Sequence, residues 1–278
     1  MHQPLFLAHR SIVSVTGADA EPFLNGIVTV STLSLAEGEF HYGALLTPQG
    51  KIIADFLVTR RLDAQEGDAI LLDCAASVAP ALIKRLTLMK LRAAVTVRVR
   101  DDLGVTAFAG APDPRGASAP LRSIGPRGEA SDAAPYHAAR IAACVPEQDF
   151  DFGAEDVFPA DINMDLTNGV DFRKGCFVGQ EVVSRMKRRA TARRRTLRAE
   201  VALGTPPGAP VLANGFEIGM LTSVSGGSAL ARVRIDRLAD AQAKGEVITA
   251  NVSPVVFDKP DWLAGELAAL AAAKEAKA

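Results

Sequence analysis

The sequence predicts an α+β protein that ends in a small β-barrel. Three observations carry this reading. Apolar runs and amphipathic stretches mix without a strict strand-helix-strand rhythm, a Pro/Gly/Ser/Ala-rich segment over residues 111–132 reads as a loop or hinge, and residues 196–257 hold short strands separated by tight turns. Composition agrees. The 278 residues are 48% hydrophobic and 23% charged, with 31 basic against 32 acidic side chains, which suits one large or two modest globular domains and excludes disordered, collagenous and fibrous chains. No run approaches the ~18 uncharged apolar residues of a membrane helix, and Met1 to Arg10 hold too few apolar positions for a secretory segment. The expected setting is the cytoplasm, a bacterial cytosol.

Ile12 to Val15 predicts a strand closed by Thr16-Gly17, and Ala18 to Leu24 a helix stopped by Asn25-Gly26. Tyr42 to Leu46 and Lys51 to Arg60 predict a hairpin, because Pro48 presets φ early in the Thr47-Pro48-Gln49-Gly50 turn and Gly50 leaves it. Ala69 to Leu72 gives a strand, Ser77 to Met89 an amphipathic helix with Ser77 as N-cap, and Ala94 to Val99 and Gly104 to Phe108 two further strands. Ala133 to Cys144 predicts a helix ended by Val145-Pro146. Strands at Thr196 to Val201, Pro210 to Ala213, Phe216 to Val224, Leu230 to Ile235 and Val247 to Val252 form the barrel, with Asn214-Gly215 as a hairpin turn. Trp262 to Ala278 is an alanine-rich helix with few anchors. The division expected is a two-part α+β body (1–195), a barrel (196–257) and a helical tail (258–278).

Cys74, Cys144 and Cys176 are odd in number and far apart, which points to a reducing compartment. With His2, His9, His41 and His137 lacking metal-ligand spacing, the sequence gives no metal site. Charge is segregated. Residues 173–198 hold ten basic side chains and the single acid Glu181, while the other 252 residues hold 21 basic and 31 acidic ones. Such a segment has a solvated face or an anionic partner, and without interleaved aromatics it offers at most weak RNA contact through Arg185 to Arg198.

Information is densest at Lys174-Gly175-Cys176-Phe177-Val178-Gly179-Gln180-Glu181, followed by Val182, Val183 and Arg185. Val182, Val183 and Met186 at helical spacing start a helix near Gly179, so the helix dipole and the neighbours Arg173 and Lys174 both favour the Cys176 thiolate. The competing reading makes Cys176 a small buried hydrophobe, and Gln180 and Glu181 mere helix-capping residues.

This octapeptide, with Arg185 behind it, resembles the signature of the YgfZ family of folate-binding proteins, which are similar in fold to the glycine-cleavage T-protein (GcvT, aminomethyltransferase) and implicated in iron-sulfur cluster assembly or repair. Phe23-Leu24-Asn25-Gly26 with Val28-Thr29, Leu46-Thr47-Pro48-Gln49-Gly50-Lys51 with Asp55, Tyr136 with Arg140, and Pro159, Asn163, Asn168 and Gly169 extend the likeness. Val30-Ser31 departs from it, since relatives commonly place a polar residue and then an acid there. The resemblance implies a multi-part GcvT-like fold around a central folate pocket, with tetrahydrofolate or a derivative as cofactor. A carboxylate would accept the pterin's paired N–H groups, and cations would meet the glutamate tail. Asp55, Asp161 and Glu181 are the candidate acceptors, with Asp55 favoured by the T-protein likeness. Arg140, Lys174 and Arg185 are the candidate cations, and Gln180 joins the binding set.

The function this implies is that of an accessory factor serving iron-sulfur enzymes, including cluster-dependent tRNA modification, or cluster carrier proteins, with Cys176 reactive at the pocket rim. The alternatives are a folate-dependent aminomethyl- or methyltransferase and, more weakly, a tRNA-binding protein. The cysteine motif separates the first two, because a T-protein has no need of Lys174 to Glu181.

Overall fold

Alternating and continuous apolar runs in the first hundred residues build an antiparallel sheet, because each run needs a neighbour for its backbone and a cover for its face. The computed structural model describes residues 2–33, 35–63, 65–189 and 192–275. Its elements in chain order are β1 (Leu5–Phe6), β2 (Arg10–Thr16), α1 (Ala20–Asn25), β3 (His41–Leu46), β4 (Ile52–Asp63), β5 (Gly67–Ala75), α2 (Ala79–Met89), β6 (Thr96–Val99), β7 (Leu103–Ala111), β8 (Arg122–Pro126), α3 (Ala134–Ala142), a 3-10 turn (Pro159–Ile162), α4 (Gln180–Arg188), β9 (Arg194–Glu200), β10 (Pro210–Ala213), β11 (Phe216–Ser225), β12 (Ser228–Arg234), α5 (Ile235–Ala243), β13 (Ile248–Ala250), β14 (Ser253–Pro254), β15 (Val256–Phe257) and α6 (Asp261–Glu275).

Three sheets result, ordered β3-β4-β5-β2-β6, β1-β7-β8 and β14-β13-β10-β11-β12-β9-β15. One face of the five-stranded sheet packs Val13, Leu45, Phe56 and Leu72 against Leu24 of α1 and Leu82 and Leu86 of α2. The other face carries Tyr42, Leu46 and Leu57, which are covered by Ile162, Met164, Phe177 and Val183. The barrel has its own core around Leu197, Val211, Leu221 and Val233. Both hairpin turns form as the sequence dictates: Gly50 takes φ +83, and Asn214 and Gly215 take φ +47 and +79, the pair of positive values that a two-residue turn matched to strand twist requires.

Four local expectations are corrected. Residues 111–132 are not all loop: β8 pairs with β7, Ile124 opposite Val105, and Asp113, Arg115 and Arg122 in the same stretch are buried. Ser77 does not cap α2, whose N-cap is Val78; its hydroxyl donates to Asp149 instead. Helix α5 follows β12 where no helix was read. The tail is anchored, since Leu263 and Leu270, seven residues apart on one helical face, are buried in the barrel core. The last part of that expected tail, 276–278, lies outside the described residues.

Candidate functional site

Three separate sequence motifs meet around Cys176. Gly179, at φ +78, is the N-cap of α4, and a Cβ there would stand 2.6 Å from the Thr47 carbonyl oxygen and 3.0 Å from the Gly50 Cα. Gly50 in turn faces Val182 and Val183, which would meet a Cβ at 3.2 and 3.5 Å. The Thr47–Gly50 turn and the start of α4 are therefore seated backbone against backbone, a fit that glycine alone allows. On the other side, the half-buried Lys174 donates from Nζ to the Val28 carbonyl at 2.7 Å and to that of Asn25, satisfying acceptors at the end of α1. The Arg173 and Lys174 backbone N–H groups donate to Asp171 Oδ1 at 2.8 and 3.2 Å, and Phe177 is buried in the core beneath.

Cys176 is exposed at the crest of this platform. Beside it, burial lowers the Lys174 ammonium to about 8, against the opposing pull of Asp171 and Cys176. The other two thiols differ. Burial pushes Cys74 up to about 12 and Cys144 up to about 12. Gln180 lies at the start of α4, partly exposed, while Glu181 and Arg185 point to solvent on its outer face. Among the described residues no three His, Cys, Asp or Glu side chains converge as a metal site. A single accessible thiol on a braced loop is suited to a transient contact with a soft metal centre.

Asp55 and Arg140 belong to a different place, a buried charge network. Arg10 donates to Asp73 (2.6 Å) and Glu147 (3.1 Å). Arg122 donates to Asp73 (2.8 Å), and Arg115 holds Asp113 in a fork at 3.0 and 2.7 Å. Burial would raise Asp113, but Arg115 and Arg122 reverse that and hold it at about 2. Asp55, 1% exposed, accepts from the Tyr42 hydroxyl at 3.0 Å, while its backbone N–H donates to Gln148 Oε1. Burial raises its pKa against the pull of Arg10 and Arg115, and its Oδ1 has no hydrogen-bond partner among the described residues.

Arg140 is not a cation at a pocket mouth. It is buried, donating to Asp151 (2.6 Å), Val145 O (3.2 Å), His137 Nδ1 (3.0 Å) and, across to β11, Ser223 Oγ (2.8 Å), so it ties α3 to the barrel. Asp161 is likewise committed, accepting from the Phe158 N–H that opens its 3-10 turn. The basic segment is also divided. Arg195 is 1% exposed and bonded to Asp165 and Glu266, and Arg198 pairs with Asp258 at 2.8 Å, which leaves the α4 cations, Arg193 and Arg194 on the surface.

The folate question turns on a cavity of about 510 Å³ lined by Arg115, Cys144, Asn163, Thr167, Arg198, Lys259 and Trp262. Its size suits a small ligand. Asn163 Oδ1 is buried there without a hydrogen-bond partner among the described residues, while Nδ2 donates to Thr196 O at 2.7 Å. An orphaned acceptor, an indole and Lys259 are groups that a pterin with an acidic tail could use, whereas Arg115 is held by Asp113 and Arg198 by Asp258, which lines the same cavity. Asp55 does not line this cavity; Arg115 connects the two, lying 5.7 Å from the Tyr42 ring. The network residues Arg10, Asp73, Asp113, Arg115, Arg122 and Glu147 escaped the sequence reading, and only Asp113-x-Arg115 carries a local signal, the spacing at which Asp113 also accepts the Arg115 backbone N–H.

Residues 193–265 match the CAF17 C-terminal beta-barrel domain. The chain is 30% identical over 266 residues to the iron-sulfur cluster assembly factor IBA57, mitochondrial, of Homo sapiens, covering 80% of this chain and 74% of that protein. It is 28% identical to the Mus musculus factor (91% and 83%) and 31% identical to the IBA57 homolog of Pyricularia oryzae (69% and 55%). The chain spans a little over half the length, 52% to 58%, of three of the fungal relatives it matches. Its fold matches the crystal structure of the glycine cleavage system aminomethyltransferase T from Bartonella henselae, with TM-score 0.71, 16% identity and coverage of 94% of this chain and 85% of that one. The expected GcvT-like fold with a C-terminal barrel is therefore present. The bacterial cytosol expected from the sequence is overturned, since these relatives are mitochondrial factors.

Proposed function

Because the chain belongs to the IBA57 family of iron-sulfur cluster assembly factors, we propose that it assists cluster assembly and that Cys176 is the group that meets the cluster or the protein carrying it. The observation that supports this most is the convergence of three motifs on one exposed thiol. Lys174, Gly179 and Gly50 hold the loop, and the cluster is cargo, because one thiolate lacks the four ligands that a stably bound cluster takes.

Folate binding is a second reading, favoured by the partnerless Asn163 Oδ1 in its cavity. Asn163 would meet a pterin N–H group, Arg198 and Lys259 the glutamate carboxylates, and Trp262 the ring face. When bound, folate supplies a one-carbon carrier. Arg115, joined to Tyr42 and through it to Asp55, fixes the floor of the cavity.

One experiment separates the roles. Cys176→Ala is expected to fail to restore cluster-enzyme activity in cells lacking their own counterpart, while tetrahydrofolate titrated against Trp262 fluorescence binds within about threefold of the parent, since the thiol does not line the cavity. Full restoration by Cys176→Ala would overturn the role of the thiol.

A further inference from the structure

A second cavity, about 420 Å³, lies where the hairpin of the body meets the barrel, and five cations line it: Lys51, Arg194, Arg232, Arg234 and Arg237. They arrive from the start of β4, from β9, from β12 and from α5, so the concentration is a product of folding and not of one charged run. Strand register sharpens the point. Arg194 and Arg234 stand directly opposite each other in the β9–β12 pair, and Arg232, two residues before Arg234, shares their face. Like charges directly opposite on one sheet face oppose strand pairing.

Protein groups compensate only part of this charge. Asp156 pairs with Arg232 at 3.0 Å, Asp236 holds Arg234 at 2.8 and 2.6 Å, and Arg237 donates to the Glu217 backbone carbonyl at 3.1 Å. Lys51 donates to the Asp156 carbonyl at 2.6 Å and lies over the Phe158 ring at 4.0 Å. The acids Asp161 and Glu217 also line the wall, and the Asp161 carboxylate, which accepts the Phe158 N–H, is attracted by Lys51, Arg194 and Arg232, so that with Asp156 and Asp236 four acids face the five cations and one positive charge is left over. Arg194 is exposed and attracts Asp161 but makes no side-chain hydrogen bond or ion pair among the described residues, and its register places it on the face that carries Arg232 and Arg234.

From this we propose that the cavity is an anion site for a small molecule bearing phosphate. Guanidinium forks match phosphate oxygens in pairs, and a phosphate monoester or pyrophosphate carries more charge per group than one carboxylate, which suits a cluster of cations that the protein leaves partly uncompensated. The site is independent of Cys176 and of the folate cavity, with which it shares no lining residue.

The probe is inorganic pyrophosphate, titrated calorimetrically against the full chain in low salt, with citrate as a polycarboxylate of comparable charge. Saturable 1:1 binding of pyrophosphate is expected. Arg194→Ser with Arg232→Ser should weaken it at least tenfold, whereas Arg188→Ser with Arg189→Ser, removing two exposed cations at the C-terminal end of α4, should leave it within twofold. Arg194→Lys, which keeps the charge and loses the fork, should bind more weakly than the parent but more tightly than Arg194→Ser, and Arg194→Ser alone should not lower the melting temperature without ligand, since it relieves a like-charge pair; together these separate lost binding from lost folding. Absence of saturable binding, equal weakening by the two double variants, or citrate binding as tightly as pyrophosphate would overturn the assignment.

Discussion

Cys176 is exposed above a braced loop, whereas Cys74 lies in the five-stranded sheet and Cys144 against the Thr196 carbonyl, 3.8 Å away. Because the thiolate is the reacting species and burial pushes both of the other thiols up to about 12, alkylation at pH 7 should follow the order Cys176 well ahead of Cys144 and Cys74. Mass-spectrometric rates for the three sites measure this, and comparable rates would remove Cys176 from its proposed role. Exposure of this residue was legible in advance, since glycines flank it and cations precede it. The fate of Arg140 was not: the same side chain reads as a surface cation on a short helix until β11 is laid across it.

At the scale of elements, the joint between the Thr47–Gly50 turn and α4 depends on two residues that lack a side chain. Gly179→Ala would put a Cβ 2.6 Å from the Thr47 carbonyl oxygen while forcing an L-residue to φ +78. The loss of stability should be about 2 kcal/mol, the order of cost of a strained backbone position, and hydrogen exchange should rise in residues 174–183 before the barrel responds. Urea unfolding and exchange mass spectrometry check both parts. The turn itself and the helix start were readable from local chemistry, but that each glycine exists for the other is a contact between segments about 130 residues apart. The stretch 111–132 misled for the opposite reason. Its apolar content is low because its buried side chains are arginines and an aspartate, so a pattern that looks for hydrophobes finds a loop.

For the whole molecule, the network around Arg10, Asp73, Asp113, Arg115, Arg122 and Glu147 joins β2, β5, the β7–β8 connection and the segment after α3, and it makes the fold sensitive to acid. Asp113, held at about 2 by Arg115 and Arg122 against an ordinary 3.8, binds a proton more weakly folded than unfolded. Its contribution is therefore complete above about pH 4 and disappears as pH falls through 2. The shift corresponds to about 2 kcal/mol. Asp113→Asn should accordingly be less stable at pH 7, by about 3 kcal/mol, because buried arginines lose their counter-ion, and its stability should fall less steeply than that of the parent between pH 4 and pH 2. Denaturation across that window measures the difference in slope, and parallel profiles would mean that Asp113 does not govern the acid limb.

Local chemistry specifies the strands of the five-stranded sheet, the longer strands of the barrel, both hairpin turns, the start of α4 and the thiol presented ahead of it, because these depend on periodicity, turn chemistry and residues within a few positions of one another; the two-residue strands β14 and β15 are too short to carry a period. Only the tertiary structure decided which charges are buried and which reach solvent. Arg195 and Arg194 are neighbours in the chain, yet strand alternation points the first to Asp165 and Glu266 and the second to the cation-lined cavity. A charged side chain becomes a tie or a site according to the partners that the fold brings within about 3 Å of it, and for Arg195, as for Arg10 and Arg122, those partners lie tens of residues away in the chain.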